Sequence, residues 1–120
     1  MAQLDPALAE EDYCYLTTTG RVSGLPREIE IWFGLERGTL YMLSGGRERS
    51  DWVRNLKRTP QVTVRVGART FDGHARIVEG GEEDARARSL LLDKYAPGYG
   101  GDLSEWGRTA LPVAVDLVDG

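Results

Sequence analysis

Hydrophobic and polar positions alternate along most of this chain, and the alternation has period two more often than the helical period. Tyr13 to Thr19 is rich in aromatic and β-branched residues and ends at Gly20, which predicts a first strand. From Arg27 to Phe33, Ile29, Ile31 and Phe33 fall on one face, the expected core face, and Glu28, Glu30 and Trp32 on the other. Glu36-Arg37-Gly38 predicts a hairpin turn into a third strand, TLYMLS, that runs into Gly45-Gly46. Val62, Val64 and Val66 alternate with Thr63 and Arg65 before a turn at Gly67-Ala68, so residues 61–78 predict a further hairpin, and Leu111 to Val118 a closing strand.

Helical periodicity appears in three places. Asp5-Pro6 reads as an N-cap followed by a first-turn proline, opening a short acidic helix. Asp51 to Arg58, capped by Ser50 or Asp51 and stopped by Pro60, turns Trp52, Val53 and Leu56 inward and Arg54, Lys57 and Arg58 outward. After Gly80-Gly81, EEDARARSLLLDKYA carries acids in its first turn and Lys94 in its last. The stretch APGYGGDLSEWG reads as a long loop. Five or six antiparallel strands with short helices between them predict a mainly β (α+β) barrel in a single domain over 1–120. The absence of a βαβ unit with GxGxxG argues against a dinucleotide-binding parallel sheet.

The chain has 120 residues with a net charge of -4, which argues against general nucleic-acid or membrane-surface binding. The average hides an asymmetry. Between Gly20 and Thr70 ten Lys/Arg stand against five Asp/Glu, a net of +5, whereas the remainder carries a net of -9. The basic residues gather around the Gly-rich turns: Arg21 and Arg27 flank GRVSGLPR, and Ser44, Gly45, Gly46, Arg47, Arg49 and Ser50 lead into the second helix. Free N–H groups at a helix start beside Gly-Gly and arginines suggest an anion cradle for a phosphorylated cofactor; the bland alternative is solvated cations and an ordinary turn. The single Cys14 and single His74 leave no basis for an intramolecular disulfide or a metal site. With no signal-like N-terminus and no apolar span, the expected setting is cytoplasmic.

The order TTTGRVSGLPR, EIEIWF, TLYMLSGG, DWVRNL and then P-x-V-x-V resembles the flavin/deazaflavin split-barrel oxidoreductases, and more narrowly the deazaflavin-dependent nitroreductase family. The resemblance implies a six-stranded split β-barrel and a homodimer. It also implies coenzyme F-420 (a deazaflavin) or, alternatively, FMN as cofactor, with hydride transfer to a small acceptor such as a quinone or nitroaromatic. On this resemblance the strand holding Arg27, Ile31 and Trp32 lies along the cofactor, and Ser44 to Arg49 reach its phosphate region. The chain departs from the pattern twice. Trp52 stands where FMN-binding oxidases tend to place a lysine, which favours the deazaflavin, and Val22 stands where the family often has lysine, leaving Arg21 and Arg27 as the cations of that turn.

Several side chains keep two readings. Trp52 either anchors its helix in the core or lines the cofactor groove. Trp32 either walls the groove or a dimer contact, or faces outward beneath the late helix. Tyr95, Tyr99 and Trp106 flank the long loop, which could fold over the cofactor ring, and they are the candidate substrate-side contacts. Because hydride transfer from a deazaflavin asks the protein chiefly for position and electrostatics, no catalytic residue is assigned. A non-catalytic carrier using the same groove for a cofactor or apolar ligand is the alternative from outside enzymology.

Overall fold

The computed structural model describes residues 5–118; the first four residues and the last two of the expected single domain lie outside the described residues. Seven strands form one antiparallel sheet: β1 (Cys14–Thr19), β2 (Pro26–Ile31), β3 (Gly34–Glu36), β4 (Thr39–Ser44), β5 (Gln61–Val66), β6 (Arg69–Ile77) and β7 (Leu111–Val118). Their order is β2-β1-β5-β6-β7-β4-β3. The edge strands β2 and β3 are consecutive in the chain and joined only by Trp32-Phe33, so the sheet curls until its edges meet in sequence, as a half-barrel. Three α-helices decorate it: α1 (Asp51–Arg58), α2 (Gly81–Tyr95) and α3 (Ser104–Thr109). Single 3-10 turns occupy Pro6–Glu10, Arg47–Arg49 and Ala96–Gly98. The expected N-terminal cap is present, with the Asp5 carboxylate accepting from Ala7 N–H at 2.9 Å.

The count of six strands is corrected to seven. The expected strand from Arg27 to Phe33 stops at Ile31, and Gly34–Glu36 leaves it to pair with β4, Gly34 opposite Tyr41 and Glu36 opposite Thr39. Helix packing fixes the break: a Cβ on Gly34 would lie 2.7 Å from the Leu90 side chain, so α2 presses directly on the backbone there. The β3–β4 hairpin closes where expected, with Arg37 at φ 52° and Gly38 at φ 80°. Two positive-φ residues in a two-residue loop match the twist of the flanking strands.

Burial follows from strand position. Within β4, Leu40 and Met42 face the barrel interior with Leu16, Val64, Val113 and Val115. The alternate residues Tyr41 and Leu43 face the other way, under Ala87 and Leu91 of α2. β4 and most of β7 are therefore buried on both faces. The edge strand β2 has only β1 beside it, and Ile29 and Ile31, expected on the core face, are half-buried. Phe33 is fully buried, as expected.

Candidate functional site

A cleft of about 710 Å³ opens between the β1–β2 loop, β2 and the first turns of α1, lined among others by Gly20, Arg21, Arg27, Ile29, Asp51 and Trp52. Its framework depends on a residue the sequence reading passed over. Asn55 sits on the inward face of α1, 4% exposed. Its amide nitrogen donates to Thr18 Oγ1 at 3.2 Å. Its oxygen accepts from Arg21 N–H at 3.1 Å and from the Arg21 guanidinium at 2.9 Å. A polar residue between the inward-facing Val53 and Leu56 was the available signal, because a buried amide needs fixed partners. The Arg21 guanidinium also meets Asp51 Oδ1 at 3.0 Å. Across the cleft, Arg27 donates to Ser23 Oγ at 3.2 Å. The turn itself is folded tightly, with Gly24 at φ 73° and a Cβ on Gly20 placed 2.7 Å from Ser23 Oγ. Trp52 packs half-buried against the core and also lines the cleft.

The Gly-Gly loop lies next to this cleft through α1. Ser44 Oγ, buried, sits 2.8 Å from Ser50 Oγ and donates to the Arg47 carbonyl at 3.0 Å. Ser50 therefore does not cap α1 with its side chain as expected; its hydroxyl belongs to the loop. A Cβ on Gly46 would lie 2.6 Å from that hydroxyl, so a side chain there would displace the Ser50 hydroxyl from Ser44. The N–H groups of Gly46 and Arg47 carry no hydrogen bond among the described residues. Arg47 itself, at φ 52°, points away from the cleft: its guanidinium donates to the Thr109 carbonyl at 2.6 Å and lies 3.6 Å from Glu79. Arg49 is exposed and has no ion pair among the described residues.

The other end is aromatic. Trp32 stacks on Tyr95 with ring centroids 4.3 Å apart and planes 5° apart. Tyr99 and Trp106 meet it edge-on at 5.8 and 5.6 Å. Trp32 and the three residues expected on the substrate side thus converge in one cluster. The cluster abuts the loop, since a Cβ on Gly45 would lie 3.6 Å from the Trp106 indole. The stretch expected as an irregular loop, 96–107, ends in the first turn of α3, which carries Trp106.

The last turn of α2 grips the bend between β2 and β3. The Tyr95 hydroxyl accepts from Phe33 N–H at 3.0 Å and stands 2.9 Å from the Asp12 carbonyl and 3.0 Å from that of Phe33, able to donate to one of them. Burial pushes it up to about 12, so it holds its proton at any ordinary pH. Lys94 Nζ donates to the Phe33 carbonyl at 3.1 Å and rides 3.7 Å over the Phe33 ring, and burial lowers its pKa from the usual lysine value. Cys14 is fully buried in the core, and its thiol is pushed up to about 12 by desolvation. His74 lies exposed on β6, away from both ends of the site. Among the described residues no group of three or more His, Cys, Asp or Glu could hold a metal ion, and no helix is long and apolar enough to cross a membrane.

The family model and the sequence relatives agree on one group. The family model described as F420H(2)-dependent quinone reductase matches residues 3–118. An F420H(2)-dependent quinone reductase of Mycobacterium tuberculosis is 30% identical over 105 residues, covering 83% of this chain and 68% of that protein. Among solved structures, an F420-H2 dependent reductase, FDR-A, superposes with a TM-score of 0.72 at 26% identity, covering 96% of this chain and 98% of the other. A chain described as a domain-swapped dimer gives 0.71 at 27% identity, covering 96% and 84%.

Proposed function

The chain belongs to the F420H(2)-dependent quinone reductase family, and from that premise we propose that it transfers hydride between coenzyme F-420 and a small conjugated acceptor, a quinone or nitroaromatic. The observation that carries this reading is the make-up of the site. Two features support it: a polar cleft with two arginines at the start of α1, and four clustered aromatic rings of which Trp106 abuts Gly45 in the loop just before that helix; a ligand anionic at one end and flat at the other would use both.

The residues fit such a ligand. Arg21 and Arg27 would meet the phosphate in the cleft, and the unbonded N–H groups of Gly46 and Arg47 supply neutral donors beside it. Arg49 is the exposed cation left for the tail, whereas Arg47 serves the loop by tying it to the end of α3. Ile31 and Trp32 border the ring region, and Trp32, Tyr95, Tyr99 and Trp106 give it an apolar wall that excludes water. When bound, the reduced deazaflavin supplies the hydride. The protein's part is to orient the partners and hold them dry, and no side chain is assigned as a proton donor: the Tyr95 hydroxyl is already committed to the backbone of Phe33 and Asp12.

We read the working unit as a homodimer, supported by the dimeric solved relative and by Val22 and Leu25, apolar residues 94% and 58% exposed beside the cleft. The test is a fluorescence titration of the purified protein with coenzyme F-420. Saturable binding is expected. No change in fluorescence up to high micromolar protein would refute the proposal independently of any acceptor tried.

A further inference from the structure

The positive charge of the cleft is cancelled by the chain itself. Its lining carries Arg21 and Arg27 against Glu28 and Asp51, a formal charge of zero. Arg21 cannot swing free of this balance. Its backbone N–H and guanidinium are both held by the buried Asn55, and the guanidinium is left 3.0 Å from the Asp51 carboxylate. Asp51 is also the first residue of α1, so its charge offsets the pull of the helix dipole on any anion at that end. An anion approaching Arg21 therefore meets a carboxylate beside the cation.

We propose that Asp51 is a specificity-determining residue: it sets the cleft to accept a phosphodiester and to disfavour a terminal phosphate monoester. The inference rests on the deazaflavin reading above and names what separates that cofactor from FMN at this site. A diester carries one negative charge, whereas a monoester carries about -1.5 to -2 at pH 7. The Asp51 side chain is 84% exposed, so a water-like dielectric applies. At about 5 Å in such a medium one like charge weakens binding of a monoanion by about fourfold and of a dianion by about sixteenfold. The carboxylate thus contributes about two- to fourfold of discrimination at pH 7.

The experiment uses two probes that differ only in that charge: a 5-deazaflavin 5′-phosphate and the monomethyl ester of the same phosphate. Both are titrated by fluorescence at low ionic strength, where screening is weakest. Wild-type protein is expected to prefer the methyl ester. Asp51→Asn should shift the preference toward the free phosphate by about two- to fourfold, while Asp51→Glu, which keeps the charge, retains the wild-type ratio. Glu82→Gln, an exposed acid at the start of α2, makes the same change in net charge away from the cleft and should leave the ratio unmoved. A ratio unchanged in Asp51→Asn, an equal shift in Glu82→Gln, or no binding of either probe by any variant overturns the inference. Coenzyme F-420 is titrated alongside: if wild type binds it while the probe ratio fails to move, only the role of Asp51 falls. If wild type does not bind it, the functional reading falls first.

Discussion

Replacing Asn55 by alanine tests the framework of the cleft. Three hydrogen bonds are lost together: one from the Asn55 amide to Thr18, and two accepted from Arg21. They are not equivalent. Thr18 is 2% exposed, so its hydroxyl is left buried without a partner, a penalty of about 1–3 kcal/mol. The Arg21 side chain is 30% exposed, so water replaces much of what it loses, and those two bonds together contribute about 1 kcal/mol. The expected destabilisation is about 2–4 kcal/mol, or roughly 8–15 °C in Tm for a domain of this size. Urea unfolding analysed by linear extrapolation measures it, with an unchanged slope showing that the unfolded ensemble is the same. Asn55→Asp is the internal control. A carboxylate still accepts from Arg21, more strongly, and can accept from the Thr18 hydroxyl, so this variant should recover most of the loss at pH 7. A cost below about 0.5 kcal/mol for the alanine, or equal costs for alanine and aspartate, would refute the assignment of the buried amide as the fastener between α1 and the β1–β2 turn.

Two further expectations concern other parts of the fold. Tyr95→Phe preserves the ring that stacks on Trp32 but removes the acceptor for Phe33 N–H, and should cost about 1–3 kcal/mol in urea unfolding; a midpoint equal to wild type would show that the hydroxyl does not hold the bend. On the outer face, Arg76 bridges Glu83 and Asp116 at 2.6 and 2.7 Å and holds both carboxyls below the usual carboxylate range by hydrogen bonding. Their stabilisation is therefore complete above the unfolded carboxylate values near 4 and is lost as pH falls through the lower folded values. Arg76→Gln should be less stable by about 1 kcal/mol at pH 7, since the groups are more than a third exposed, with the gap to wild type closing below about pH 4; a gap independent of pH would contradict the pairing.

β1, β5 and β6 were legible because their burial matches their alternation. Val62, Val64 and Val66 point inward as the pattern requires, and α1 ends against Pro60 at the expected residue. The split of β2 from β3 was not legible, since the alternation runs on through Phe33 and the break is imposed by Leu90, more than fifty residues away, pressing on Gly34. α3 was missed for a related reason. Its Gly107 argues against helix in isolation, yet a Cβ there would lie 2.5 Å from Leu92, so the glycine is demanded by the contact between α2 and α3. In the site, residue type pointed to Trp32, Tyr95, Tyr99 and Trp106, but only the fold brings them together. Arg47 was read as a cofactor cation from its place beside Gly-Gly; its tie to Thr109 depends on a contact no local pattern encodes.

The clasp at Phe33 has a further consequence. The two edges of the sheet are not joined to each other by a strand ladder; at the bend, Tyr95 and Lys94 hold the N–H and the carbonyl of the single residue Phe33. The ring that closes the barrel on one side is the ring that stacks on Trp32 on the other. On the function proposed above, adaptation of the aromatic cluster to a new acceptor draws on the same side chain that keeps the seam shut. Variants that broaden acceptor range there are expected to surrender stability, and recovering it will call for compensating changes elsewhere in the barrel.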